Sequence, residues 1–167
     1  IADLLPEYEN ELSNDSLKKT ITIRQLLTHR SGLSWDEIVS ENDLEEMMNS
    51  NDWVKNLLKK PLDAIPGGRY NFNSGASMIL SKIIQNLTNE TLSSYIDRRL
   101  FKALEIDGWL WTTDPSGTTN ATNGLYLTQL DFTKIGYLLL KNGVWKNQVI
   151  LSDDWIHEST NVQHQPS

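Results

Sequence analysis

The strongest periodic pattern in the chain begins after Gly75. Ile79, Leu80, Ile83, Ile84 and Leu87 recur at helical spacing and place apolar side chains on one face. A second helix fits Leu92 to Leu104, with Ile96, Leu100, Phe101 and Leu104 on its inner face. A third runs from about Thr128 to Lys141, with Thr128 as N-cap and Asp131 in the first turn. Its expected buried face is Phe132, Ile135, Leu138 and Leu139, and Asn142-Gly143 stops it. Shorter elements surround these three. Thr22 and Gln25 have capping-box spacing ahead of Leu26 and Leu27, and Ser31-Gly32 is the expected end of that helix. Residues 41–60 turn from acidic to basic and read as helical up to Pro61.

Strand signals are few. Trp109 to Thr113 alternates large and small side chains, followed by the turn Asp114-Pro115-Ser116-Gly117 and a small, polar loop from Thr118 to Asn123. Val144-Trp145 and Val149-Ile150 flank Lys146-Asn147 and suggest a small hairpin. Ser152 caps a last helix with Asp153 and Asp154 in its first turn. No repeat or low-complexity linker divides the chain. The expected fold is mainly α, one domain over residues 1–167, with no sheet large enough to anchor it.

Composition narrows the function classes. A length of 167 residues suits one domain, and 22% charged residues is not a disordered composition. The net charge of −7, without a basic stripe, argues against nucleic acid as a partner. The absence of cysteine excludes disulfides, thiol catalysis and thiolate metal sites. The longest apolar stretch, Ile135 to Leu140, is far short of the roughly 18 residues of a membrane span. The chain starts at Ile1 and stops at Gln165-Pro166-Ser167 without a closing element, so it reads as a piece of a longer protein.

Candidate chemistry is sparse. His29, His157 and His164 lack metal-ligand spacing, so no metal or cofactor is expected. Pro66-Gly67-Gly68 lacks the Lys-Ser/Thr of a phosphate loop and reads as a turn. Ser16-Leu17-Lys18-Lys19 has the spacing of a serine nucleophile and its lysine base. It lies among Asn14, Asp15 and Thr20, in what reads as a solvated loop rather than the buried helix such chemistry needs. Lys141-Asn142-Gly143 reads as a helix cap, and the sequons at Asn14, Asn86, Asn89 and Asn120 are a weak signal. Trp35, Trp109 and Trp111 either fill a core or line a pocket. The remaining signal is Pro66 to Gly75, where a tight turn leads through an aromatic stretch into the best helix. There Asn73 or Ser74 either caps the helix or faces a cleft.

Five blocks add a resemblance. TIRQLLTHRSGL (22–33), PGGRYNFNSGASMILSKII (66–84), LSSYIDRRLFKALEI (92–106), GLYLTQLDFTKIGYLLLKNGVW (124–145) and ILSDDWIHEST (150–160) resemble the serine β-lactamase family. More narrowly, they are similar to its class C and penicillin-binding-protein-like branch, which includes esterases and 6-aminohexanoate-dimer hydrolases. The resemblance implies the helical part of the β-lactamase/transpeptidase-like fold, with a few short strands and without the main sheet. The family's Ser-x-x-Lys nucleophile would precede this chain, and its Lys-Thr-Gly or His-x-Gly strand would follow it. The middle motif, Tyr-x-Asn or Tyr-x-Ser, falls on Phe72-Asn73-Ser74. Ser74 fits the variant, whereas Phe72 keeps the ring and loses the phenol oxygen that the family uses in proton transfer. Tyr70, two residues earlier, points the same way in an extended segment, and the alignment gives it a structural position.

The resemblance thus implies a serine hydrolase acting by acyl transfer on an ester, amide, peptide or β-lactam. Phe72 and Ser74 would occupy catalytic positions, Tyr70 and Asn73 would contact substrate, and the isolated chain would be inactive. The rival is a non-catalytic protein on the same fold that binds a cell-wall peptide or other acyl ligand. A dimer through the face left by the missing sheet and a location in the bacterial envelope are further expectations.

Overall fold

The computed structural model describes residues 1–40 and 42–163. They divide into two compact units, Ile1–Ser93 with Trp111–Leu125, and Ser94–Leu110 with Tyr126 onward.

The first unit contains α1 (Glu9–Ser13), α2 (Ile23–Leu27), α3 (Asn42–Met48), α4 (Trp53–Lys59) and α5 (Ala76–Thr88). Short helices at both ends of α1 complete its start. Leu5, Leu12, Ile21, Leu26, Leu33, Met47, Leu57, Met78, Ile79 and Ile83 form its core, and Trp35 is packed among them. The helices start where side chains satisfy orphan amides. Thr22 and Gln25 make both bonds of a capping box at α2. Asp52 accepts from Lys55 N at 2.8 Å and starts α4, which divides the helical stretch expected over 41–60 in two. Buried Asp114 adds a second acceptor there, taking the Trp53 amide at 3.2 Å and the Thr118 amide at 2.9 Å.

Two expectations change here, and a third gains a detail. The helix expected to end at Ser31-Gly32 ends at Leu27, because His29 takes a left-handed φ of 53°. The amides of His29 and Arg30 then bond back to the Leu26 and Gln25 carbonyls, at 3.2 and 2.7 Å, closing a Schellman motif. Leu87, expected on the apolar face of α5, is 62% exposed, while Met78, Ile79 and Ile83 carry the burial. The polar stretch 118–123 is a loop, but Thr118, Thr119 and Asn120 are buried. Thr119 takes the Ser81 hydroxyl on its carbonyl at 2.8 Å, and the Trp111 indole donates to the Asn120 carbonyl at 2.7 Å. The loop is polar because its backbone and side chains bond one another.

The remaining elements are α6 (Leu92–Ile96), β1 (Trp109–Trp111), β2 (Leu125–Leu127), α7 (Gln129–Leu140), β3 (Val144–Trp145), β4 (Gln148–Val149) and α8 (Asp153–Thr160). The strands form two two-stranded sheets, β1 with β2 and β3 with β4. The second helical pattern changes at Asp97–Phe101, where the last turn opens into a π-helix. Phe101 there is buried, with its ring 5.8 Å from that of Trp109, whose indole donates to Asp97 at 3.0 Å. Thr128 caps α7, as its sequence indicates. The Lys134 ammonium and the Thr128 hydroxyl beside Asp131 hold its carboxyl below the usual range.

The buried face of α7 also differs from expectation. Leu138 is buried and Ile135 partly so, whereas Phe132 is 70% exposed and Leu139 is exposed. Leu130, Phe132, Tyr137, Leu138, Leu139 and Leu140 lie almost all round this helix, so the period alone cannot select the inward side. The hairpin is present, one residue tighter than expected: Val144 pairs with Val149 and Trp145 with Gln148. Lys146 and Asn147 at its tip both take positive φ, as a type I′ turn requires.

Candidate functional site

The segment 70–75 lies in the first unit, where the chain enters α5. Asn71 anchors its start twice, its amide donating to the His29 carbonyl at 2.8 Å and its Nδ2 to the Trp35 carbonyl at 2.9 Å. The aromatic residues on either side project outward. Tyr70 is exposed, and Phe72 is 37% exposed. Both rings meet the imidazole of His29, Tyr70 edge-on at 6.0 Å between centroids and Phe72 tilted at 4.8 Å. The left-handed turn at His29 places that imidazole beside the segment.

The structure separates the two readings of Asn73 and Ser74. Asn73 is 1% exposed and caps the helix, its Oδ1 accepting the Ala76 amide at 3.0 Å. The Ser74 hydroxyl makes no such cap. Ser74 Oγ and Asn73 Nδ2 are buried and find no hydrogen-bond partner among the described residues. Buried polar atoms are nearly always paired, so two unpaired ones in adjacent residues mark this segment as unusual.

Two neighbours were not singled out as site residues in the sequence. His29 Nδ1 accepts the Asn73 amide at 3.3 Å, which requires that nitrogen to be unprotonated. Glu37 Oε2 accepts the Ser74 amide at 2.8 Å and also the Trp35 indole N–H. These partners are 44 and 37 residues distant in sequence, beyond the reach of any spacing rule. Gly75 gives the close approach of helix and loop: a Cβ there would lie 3.0 Å from the Trp35 ring and 3.2 Å from Met47 Sδ.

The other candidates lie elsewhere. Ser16 is exposed in a short 3₁₀ helix, and Lys19 is paired with Glu9 at 2.6 Å. Lys18, expected in solvent, is instead buried, donating to the Leu58 carbonyl at 2.7 Å, and burial lowers its ammonium pKa. Trp35 belongs to the core, and the Trp109 and Trp111 indoles are tied to Asp97 and Asn120. Among the described residues no three His, Cys, Asp or Glu side chains group as metal ligands, and no helix is long and apolar enough to cross a membrane. His157 lies on α8, and His164 and the terminal Gln165-Pro166-Ser167 lie outside the described residues.

Comparison with known proteins places this geometry in a family. Protein flp of Staphylococcus aureus strain COL is 30% identical over 97 residues, which is 58% of this chain and 19% of that protein. A Bacillus anthracis protein, provisionally named a 6-aminohexanoate-dimer hydrolase, superposes with a TM-score of 0.79 at 22% identity, over 94% of this chain and 45% of its own. The penicillin-binding protein of Bacillus halodurans gives a TM-score of 0.68 at 15% identity, over 88% of this chain and 54% of its own. The chain therefore spans about a fifth of the curated relative and about half of the solved structures. The Beta-lactamase family model matches residues 1–139, and the chain belongs to that family as a mainly helical portion of its fold.

Proposed function

We propose that the protein containing this chain is a serine hydrolase acting by acyl transfer on an ester, amide, peptide or β-lactam, and that this chain forms one wall of its cleft. The observation that carries the reading is the buried, unpartnered Ser74 hydroxyl in the segment that matches the family's Tyr-x-Ser motif. Family membership and the hydrolases among its structural relatives support it. Ser74 Oγ would bond the acyl group or the reacting serine, Asn73 would fix the turn, and Tyr70 and Phe72 would flank the substrate. This reading assigns the nucleophile to another part of the protein, and the exposure of Ser16 and the pairing of Lys19 with Glu9 support it.

Replacing Ser74 by Ala in the full-length protein tests this. Loss of one positioned hydrogen-bonding group should lower kcat/KM for an ester substrate at least about tenfold. An unchanged kcat/KM removes Ser74 from the site. A second reading, a binding protein without turnover, is favoured by one residue: Phe72 lacks the phenol oxygen.

A further inference from the structure

Consecutive backbone amides at 73 and 74 are both captured by side chains from one distant loop. Asn73 N–H goes to the imidazole of His29, and Ser74 N–H to the carboxylate of Glu37. The two captures differ in length: the His29 contact spans 3.3 Å and the Glu37 contact 2.8 Å. The same carboxylate oxygen takes the indole N–H of Trp35, whose ring is buried in the core of the unit. Glu37 thus joins a fixed point of the core to the residue that begins the turn into α5.

The Ser74 side chain has no partner of its own among the described residues, so nothing on the hydroxyl side orients it. Its direction is set through its backbone, and the hydrogen bond from the Ser74 amide to Glu37 holds that backbone.

We infer that Glu37 is a positioning residue for Ser74: its carboxylate, braced on the Trp35 indole, fixes the 72–74 turn so that the unpartnered hydroxyl meets the substrate in one orientation. The functional part of this inference rests on the reading of Ser74 as a site residue, and the positioning part does not. Two properties follow. The acceptor oxygen matters more than the charge, because both contacts are made by one oxygen. The loss should fall on kcat more than KM, because a misdirected hydroxyl still leaves the aromatic flank of Tyr70 and Phe72 to hold substrate.

The experiment compares Glu37→Ala and Glu37→Gln in the full-length protein by two readouts. The first is amide hydrogen exchange of peptides covering 72–76, with peptides from α7 as the internal reference for global stability. Glu37→Ala should speed exchange at 73–76 at least about tenfold and leave α7 unchanged, whereas Glu37→Gln, which keeps a carbonyl acceptor, should remain close to the parent. The second is steady-state hydrolysis of an activated ester. Glu37→Ala should lower kcat at least about tenfold with KM within about twofold, and Glu37→Gln should restore it. Unchanged exchange in Glu37→Ala overturns the inference. So does a Glu37→Gln variant with native exchange and the kcat of the alanine variant, because the charge would then act directly. Faster exchange in Glu37→Ala together with full activity of Ser74→Ala keeps the clamp and refutes the role of Ser74 instead. If the full-length protein turns over no ester, the exchange readout alone decides whether Glu37 holds the turn.

Discussion

Turnover of an activated ester by the full-length protein should rise at least about tenfold in Phe72→Tyr, within the roughly 10²–10⁴-fold that a positioned acid or base contributes. On the proposed reading, Phe72 takes the place of the family tyrosine and lacks its phenol oxygen. The added oxygen should be tolerated, because Phe72 is 37% exposed and its known ring contact is to the adjacent His29. Tyr70→Phe provides the contrast. Tyr70 also packs on His29, edge-on and more exposed, and should alter the rate little. If Phe72→Tyr leaves the rate unchanged while Tyr70→Phe abolishes it, Tyr70 is the working group and the motif is displaced by two residues. If neither variant matters and no substrate is turned over, the binding-protein reading takes precedence.

A comparable effect on stability should come from Gly32→Ala. Gly32 has φ +81°, and an added Cβ would lie 2.2 Å from the Ala64 carbonyl oxygen, a backbone atom with no side chain to rotate away. Its own carbonyl accepts the Asp63 amide at 3.0 Å, and the neighbouring Leu33 bridges to Leu62. The two strands of loop are therefore pinned against each other where the substitution would force them apart. Left-handed strain of about 1–2 kcal/mol and overpacking of about 1–3 kcal/mol together give an expected loss of about 2–5 kcal/mol. Urea unfolding should show this as a lower midpoint, and native exchange between 28 and 37 should rise because that loop carries His29 and Glu37. Gly136, where a Cβ would meet nothing within 4 Å, supplies the control: Gly136→Ala lies within α7 and should not destabilise. An unchanged midpoint in Gly32→Ala would contradict the close approach.

The fold was legible where structure is set by bonds at short, fixed offsets. Thr22 with Gln25, Thr128 with Asp131, Ser152 ahead of α8 and the Lys146-Asn147 turn are all interactions within a few residues, and each is present. Legibility failed where burial is decided by something distant. Phe132 and Leu139 are apolar and at helical spacing, but nearly the whole circumference of α7 is apolar, so the pattern could not orient it. Thr118, Thr119 and Asn120 are small and polar, and they are buried because Ser81, Trp111 and Asp114 reach them.

The site divides in the same way. The Phe72-Asn73-Ser74 run was found because it is contiguous and resembles a family motif. His29 and Glu37 were not, because a ligand to an amide 44 or 37 residues away has no sequence signature. The one local clue was His29 itself. A left-handed non-glycine residue at a helix end is uncommon, but that conformation is visible only in the structure.

On the proposed reading, this chain forms a cleft wall serving a serine nucleophile located elsewhere in the protein. The most direct test is to acylate the full-length protein with a fluorescent penicillin and an activated ester, and to map the modified residue by peptide mass spectrometry. The expected result is a single acylated serine outside residues 1–167, with labelling that slows in Ser74→Ala and persists in Ser16→Ala. An adduct on Ser16 or any other residue of this chain, or a protein that binds these reagents without ever forming an adduct, would contradict it.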